Sequence, residues 1–262
     1  MRRPTAWVRR NPLFRTVASL CRQYLKWYGN ASYKPEKNGE RWLLEQLGSE
    51  GFATILDVGA NVGKWTTLAA RVFPAAAIYA LEIVPATCER LRAATAQLPR
   101  VKALNLGLAE RTGTLPIRYH PSASAHATFT EYPHGWMGGG ETIDCPVTTG
   151  DELLAAHHLT SVDFLKLDIE GAEHLALRGF AHTLTERRIR FVQFEYGRVN
   201  ILTRFLLKDF YELFERAGYV VGKIYPDYVD FRTYELSDED FLGPNYLACR
   251  ADEPLLSRLR GA

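Results

Sequence analysis

The 262-residue sequence has few cysteines and none in a metal-binding arrangement: Cys21, Cys88, Cys145 and Cys249 are scattered, with no Cys-x-x-Cys pair. That argues against a structural zinc site and a disulfide framework, and makes a reducing cytoplasm the simplest setting. Long apolar runs are missing too. The most apolar stretch, residues 66 to 88, is broken by Arg71, Pro74 and Glu82, so no membrane span is expected. The N-terminus has neither the uninterrupted apolar core nor the small-residue cleavage site of a secretory signal. Neither Gly-x-Gly-x-x-Gly nor Gly-x-x-x-x-Gly-Lys-[Ser/Thr] occurs, so the dinucleotide and nucleoside triphosphate fingerprints are both missed. Histidines 120, 126 and 134 and the neighbours His157 and His158 lack metal-ligand spacing, and no metal is expected.

One segment lacks acid altogether. Residues 1 to 30 hold seven Lys or Arg and no Asp or Glu; with a net charge of +2 over the whole chain, the remainder carries −5. A general nucleic-acid footprint is therefore absent, and no nucleic-acid partner is expected. Within the segment, Arg2, Arg3, Arg9, Arg10, Arg15, Arg22 and Lys26 alternate with Trp7, Val8, Leu13, Phe14, Val17, Leu20, Tyr24, Leu25 and Trp27, the pattern of a basic amphipathic helix. A helix packed on the domain with its cations in solvent is the economical reading. Peripheral contact with the inner surface of an anionic membrane is the other. The chain divides accordingly into a basic helical segment over 1–45 and a domain over 46–262, whose composition, 47% hydrophobic over the whole chain, suffices for a core.

Along that domain, strand-like apolar runs alternate with helical periodicity. Strands are expected at 53–58, 77–82, 101–106, 162–168, 190–196 and 219–225, helices at 63–72, 86–97, 171–180 and 202–217, and a last strand around 246–249. This is βα winding, a doubly wound α/β sheet with helices on both faces. Between residues 108 and 150 lies an insertion: a hairpin beginning at 113–119, then a stretch over 120–142 rich in Ser, His, Gly and aromatics that reads as a lid loop, with Phe129, Tyr132 and Trp136 able to cover a sugar ring or apolar group.

Ligands of such sheets sit beyond the carboxyl ends of the strands, and there Asp57, Glu82, Asn105, Asp168 and Glu195 fall together. Asp57-Val58-Gly59-Ala60-Asn61-Val62-Gly63 reads as strand, glycine turn and helix start, where the backbone can approach a ligand closely. Glu82, closing the next apolar run, suits a ribose diol, since a carboxylate accepts from both hydroxyls.

With these residues in place, the chain resembles the FkbM family of S-adenosylmethionine-dependent methyltransferases, within the class I methyltransferase fold. Two motifs carry the likeness, Asp57–Gly63 above and Val162-Asp163-Phe164-Leu165-Lys166-Leu167-Asp168-Ile169-Glu170-Gly171-Ala172-Glu173. The likeness spans roughly residues 50 to 250. It implies a Rossmann-like, mostly parallel seven-stranded sheet whose last strand runs antiparallel, and S-adenosyl-L-methionine as cofactor. By the resemblance, Gly59, Asn61 and Gly63 line the cofactor, Asp57 approaches its methionine end, Glu82 holds its ribose and Asn105 lies beside adenine. The family also implies methylation of a hydroxyl on a small molecule or glycan, such as a sugar of a glycolipid, polysaccharide or specialised metabolite. Gly150 stands where the family usually has leucine, so packing is expected to differ there.

O-methylation needs an acceptor for the hydroxyl proton, and Asp168 and Glu195, each at the end of an apolar strand, are the candidate catalytic residues. Asp168 orients or deprotonates the acceptor, or grips the cofactor's amino group. Glu170 and Glu173 either serve the site or complement a helix start, and His174 is a lesser candidate base. Two rival readings remain open at this stage: a nicotinamide-dependent oxidoreductase or epimerase on a similar sheet, and a non-catalytic nucleotide-binding module.

Overall fold

Strands buried on both faces need continuous apolar runs rather than alternation, and Ile55-Leu56, Phe164-Leu165 and Phe191-Val192 supply them at the centre of the sheet. The computed structural model describes residues 5–119 and 140–261. In chain order, the helices α1 (Ala6–Arg10), α2 (Pro12–Tyr28) and α3 (Glu40–Leu47) lead into β1 (Thr54–Val58), α4 (Lys64–Val72), β2 (Ala77–Leu81), α5 (Pro85–Thr95) and β3 (Val101–Leu104). After the short strand β4 (Gly107–Leu108), β5 (Gly113–Tyr119) and β6 (Glu141–Thr148) form the inserted hairpin. Then follow α6 (Gly150–Ala156), β7 (Val162–Leu167), α7 (Glu173–Gly179), α8 (Ala181–Thr185), β8 (Ile189–Glu195), α9 (Asn200–Thr203), α10 (Leu207–Arg216), β9 (Tyr219–Ile224), β10 (Val229–Phe231), β11 (Asn245–Arg250) and α11 (Leu256–Leu259).

Among the described residues the main sheet has eight strands in the order β10-β9-β11-β8-β7-β1-β2-β3, and a second sheet has the order β4-β6-β5. β11 is antiparallel to both β8 and β9, as expected of the last strand. The eighth strand departs from the expected seven: residues 229–231 turn back on β9 as an antiparallel edge, and three residues are too few to show a period in the sequence. The helix expected over 202–217 is two helices, parted at Arg204, whose φ of 57° is left-handed.

The chain winds from β1 outwards to β3, then returns to place β7 on the other side of β1. Crevices open where winding reverses, here over the carboxyl ends of β1 and β7. Gly59 makes the close approach possible: its φ is 82°, and a β-carbon there would overlap the Asp168 carbonyl oxygen.

The N-terminus corrects the economical reading. No residue of α1 or α2 is buried, and the apolar face is in solvent with Leu13 68% and Trp27 75% exposed. Among the described residues no helix is long and apolar enough to cross a membrane. From Asn30 onward the chain joins the domain: Asn30 Nδ2 donates to the Asn38 and Ile224 carbonyls at 2.9 and 2.8 Å, and Leu43, Leu44 and Leu47 are core residues. The folded unit thus takes in residues that the sequence grouped with the basic segment. The expected lid lies outside the described residues over 120–139, Phe129, Tyr132 and Trp136 included, and residues 141 and 142 belong to β6.

Gly150 has a packing reason. The Phe180 ring occupies the space into which a side chain at 150 would project, while Thr149 Oγ1 caps α6 by accepting from Glu152 N at 3.1 Å. Gly150→Leu alone is expected to destabilise by ~1–3 kcal/mol or more, and Phe180→Ala alone by ~3–5 kcal/mol. Combined, they should cost clearly less than the sum in urea unfolding, because each relieves the other; additive losses would contradict this packing.

Candidate active site

A cleft of about 790 Å³ lies over the carboxyl ends of the central strands. It brings together five of the eight residues expected there: Gly59, Asn61, Glu82, Asp168 and Glu195 all line it. Asp57, Gly63 and Asn105 are not among its lining residues. Asp57 lies fully buried beneath the floor, where its carboxylate accepts from Thr66 Oγ1 at 2.6 Å. Gly63, left-handed with φ 82°, starts α4 and faces Leu91 of α5. Asn105 Nδ2 donates to the Glu82 and Ile83 carbonyls at 2.9 and 3.0 Å, which fixes the backbone beside Glu82. These three shape the cleft from behind.

Glu82 is held in place by the turn itself. Its two oxygens accept from Asn61 N and Val84 N, each at 2.9 Å. Burial pushes its carboxyl up to about 7, against the pull of those two N–H donors. The Asn61 side-chain oxygen is buried with no hydrogen-bond partner among the described residues, so it is an acceptor available to a ligand N–H.

Beneath the floor runs a row that the sequence reading missed. Asp57, Lys166 and Gln193 share one register level across β1, β7 and β8, so their side chains leave the same face of the sheet. Lys166 is 3% exposed; its ammonium lies 2.9 Å from Asp168 Oδ2 and 3.7 Å from Asp57 Oδ1, and 5.7 Å from the centre of the Trp65 ring. Gln193 Nε2 continues the row, donating to Glu40 Oε1 at 2.7 Å. Burial alone would lower the Lys166 pKa, but the Asp168, Asp57 and Glu40 carboxylates outweigh it and hold the ammonium above its ordinary range. Asp57 and Glu40 are pushed the other way, up, by burial. The signal was present in the sequence: a lysine inside an otherwise apolar strand is almost never buried unless paired.

The rim of the cleft is acidic. Asp168, with 44% of its side chain exposed, Glu170 and Glu195 all line the cleft. Glu195 is raised well above the ordinary carboxyl value by burial, then by the charges of Asp168, Glu170 and Glu173. Glu173 does not line the cleft; its Oε1 accepts from Ile169 N at 2.9 Å, and burial pushes it up to about 8. That placement supports a helix-start role. His174, also away from the lining, contacts the Gly171 carbonyl through Nδ1 at 3.0 Å and stacks on Phe205 at 4.8 Å, and burial lowers its pKa. Lining residues that the sequence did not place at the site include Tyr33, Lys26 and Arg198. Burial, then Glu195 and Glu170, raise the Tyr33 phenol to about 12. No motif marks these three: Lys26 and Tyr33 precede β1, and Arg198 follows β8.

The family model described as the methyltransferase FkbM domain matches residues 57–221, more than half of the chain. The chain belongs to the FkbM family. It is 29% identical over 153 residues to the methyltransferase sdnD of Sordaria araneosa, covering 48% of this chain and 59% of sdnD. To the 2-O-methyltransferase NoeI of Sinorhizobium fredii it is 26% identical over 158 residues, covering 55% of this chain and 63% of NoeI. To the hexuronic acid methyltransferase AglP of Haloferax volcanii it is 29% identical over 165 residues, covering 62% of this chain and 63% of AglP. The chain thus spans about six tenths of the length of these curated relatives. The FkbM match begins at Asp57 and so takes in the glycine turn, Glu82, Lys166, Asp168 and Glu195, but not α1 or α2.

If Lys166 is what allows Asp57 to be buried, Lys166→Met should lose ~3–5 kcal/mol in denaturant unfolding, since it leaves a carboxylate unpaired in the interior. Lys166→Met/Asp57→Leu should recover much of that loss. A double variant as unstable as the sum of its parts would refute the pairing.

Proposed function

We propose that the protein is an S-adenosylmethionine-dependent O-methyltransferase whose acceptor is a hydroxyl of a sugar. The observation that carries this reading is the acidic cleft of an FkbM-family chain: Asp168, Glu170 and Glu195 face one space, with Glu82 beside the glycine turn. A cofactor with a sulfonium, an ammonium and a ribose diol suits that set, because two of its groups are cationic and the third donates to a carboxylate. The Asn61 side-chain oxygen adds an unused acceptor at the turn. The names of NoeI and AglP, a 2-O-methyltransferase and a hexuronic acid methyltransferase, support a sugar acceptor.

S-adenosylmethionine, held at Glu82 and the turn carrying Asn61, would supply an electrophilic methyl group, sulfur keeping the S–C electron pair and a hydroxyl lone pair forming the new C–O bond. The chain must then place the hydroxyl and take its proton. Asp168 and Glu195 divide the work. Asp168, tied to Lys166, keeps a negative charge fixed at the end of β7 and positions cationic or hydroxyl groups. Glu195 is the better proton acceptor, because the surroundings that raise its pKa raise its affinity for the proton. A cationic ligand nearby opposes those carboxylates and favours the ionised form that a base requires.

Calorimetry with S-adenosylmethionine and S-adenosylhomocysteine tests the assignment, with NAD as the control for the oxidoreductase alternative. Glu82 carries a pKa of about 7 in the free protein; hydroxyls donating to it favour the ionised form, so binding must expel its proton below that pH. Affinity is therefore expected to rise with pH as Glu82 ionises, by up to about tenfold per pH unit below about pH 7, with further rise above pH 7 belonging to Glu195. Glu82→Gln should flatten that profile and weaken binding at neutral pH. No binding of either adenosyl compound by folded protein, or tighter binding of NAD, would overturn the proposal.

A further inference from the structure

The helices α1 and α2 leave an apolar face uncovered, and they end at the cleft. At about 100° per residue, Leu13, Val17, Leu20, Tyr24, Trp27 and Tyr28 fall on one side of α2, and Arg15, Arg22 and Lys26 fall on the opposite side. The apolar side is in solvent along its whole length, from Leu13 at 68% to Tyr28 at 67% exposed. Across residues 5–28 there are five cations, Arg9 and Arg10 of α1 included, and no carboxylate. The domain end of the helix is fixed, because Asn30 is buried and bonded to two backbone carbonyls of the domain. Lys26, on the cationic side, lines the cleft together with Ala31 and Tyr33 of the segment that follows.

We infer that α1 and α2 dock on an anionic lipid surface and hold the cleft close to the bilayer, so that the acceptor sugar is the head group of a membrane-borne glycolipid. The acceptor half of this inference rests on the methyltransferase reading; the docking half does not. Charge complementarity selects the occupant, since a wholly cationic segment favours an anionic surface. The composition of the face agrees. Trp7, Tyr24, Trp27 and Tyr28 have apolar bodies and polar tips, which suit a boundary between hydrocarbon and water. A helix with Lys and Arg on one side and Trp, Phe and Leu on the other lies in the interface rather than across it. Lys26 and Arg198, both lining the cleft, are cations near which the phosphate or carboxylate of such a head group is welcome.

The test is co-sedimentation of the full chain with phosphatidylcholine vesicles, with and without phosphatidylglycerol. Binding is expected to be at least ~10-fold tighter with the anionic lipid and to weaken with salt. Val17→Glu/Leu20→Glu/Tyr24→Glu should lose it by a similar factor while keeping the wild-type melting temperature and S-adenosylmethionine affinity, since all three side chains are exposed. With one glycoside offered free and anchored in vesicles, the triple variant should methylate the free form as the wild type does and lose rate only on the anchored form. Wild-type protein that stays in the supernatant with both vesicles, a triple variant that still sediments, or a stable dimer that the triple substitution dissolves would each overturn docking. Equal loss of rate on the free glycoside would overturn the acceptor half. Sedimentation as expected with no methyl transfer to any glycoside would sink the methyltransferase reading and the acceptor half, and leave docking standing.

Discussion

Burying an ammonium costs several kcal/mol unless carboxylates meet it, and Lys166 is met by two, Asp57 under the floor of the cleft and Asp168 at its rim. The site follows from that constraint. Asp168 sits one residue past the end of β7 because its backbone N–H still donates to the Val58 carbonyl, at 3.1 Å, and its side chain turns back to the lysine two residues before it. Gly59 has to be glycine because the Asp168 carbonyl lies where its side chain would be. One ion pair and one steric exclusion thus join the two halves of the sheet at the place where the winding reverses.

This arrangement separates two groups of carboxylates by their electrostatics. Asp168 has a cation at 2.9 Å, whereas Glu195 has carboxylates for neighbours and its pKa is raised well above the ordinary value. Glu82 stands apart from both at the other side of the turn, its two oxygens each accepting from a backbone N–H. Under the proposed function the three carboxylates would take three different tasks, a fixed anion at Asp168, a proton acceptor at Glu195 and a partner for a diol at Glu82. The division follows from which strand each side chain ends and what lies beneath it.

Much of this was legible in the sequence, for reasons that can be stated residue by residue. Continuous apolar runs marked the buried parallel strands, and the turn from Asp57 to Gly63 with Glu82 beyond it marked the crevice, because both depend on local spacing. The edge strand at Val229–Phe231 was too short to carry a period, and the break at Arg204 was hidden because apolar periodicity runs through it. Asp57 read as a ligand contact since it ends a strand beside the turn, yet strand polarity alone does not say which face it takes; its register partner Lys166 decides that. Asn105 likewise sat at the right strand end and serves the backbone of Glu82 and Ile83 instead. Tyr33, Lys26 and Arg198 reach the cleft only through tertiary placement. The basic segment was recognised as amphipathic, but packing on the domain was the wrong partner for its apolar face, since composition tells how a helix is polarised and not what it touches.

The most direct test of the account is a crystal structure of the chain with S-adenosylhomocysteine. The ribose is predicted to lie against the Glu82 carboxylate and the amino-acid end near Asn61 and Asp168, with the Glu195 carboxylate facing the space left for an acceptor. A ligand bound elsewhere, or a ribose turned away from Glu82 with the cleft closed by the protein's own side chains, would contradict it.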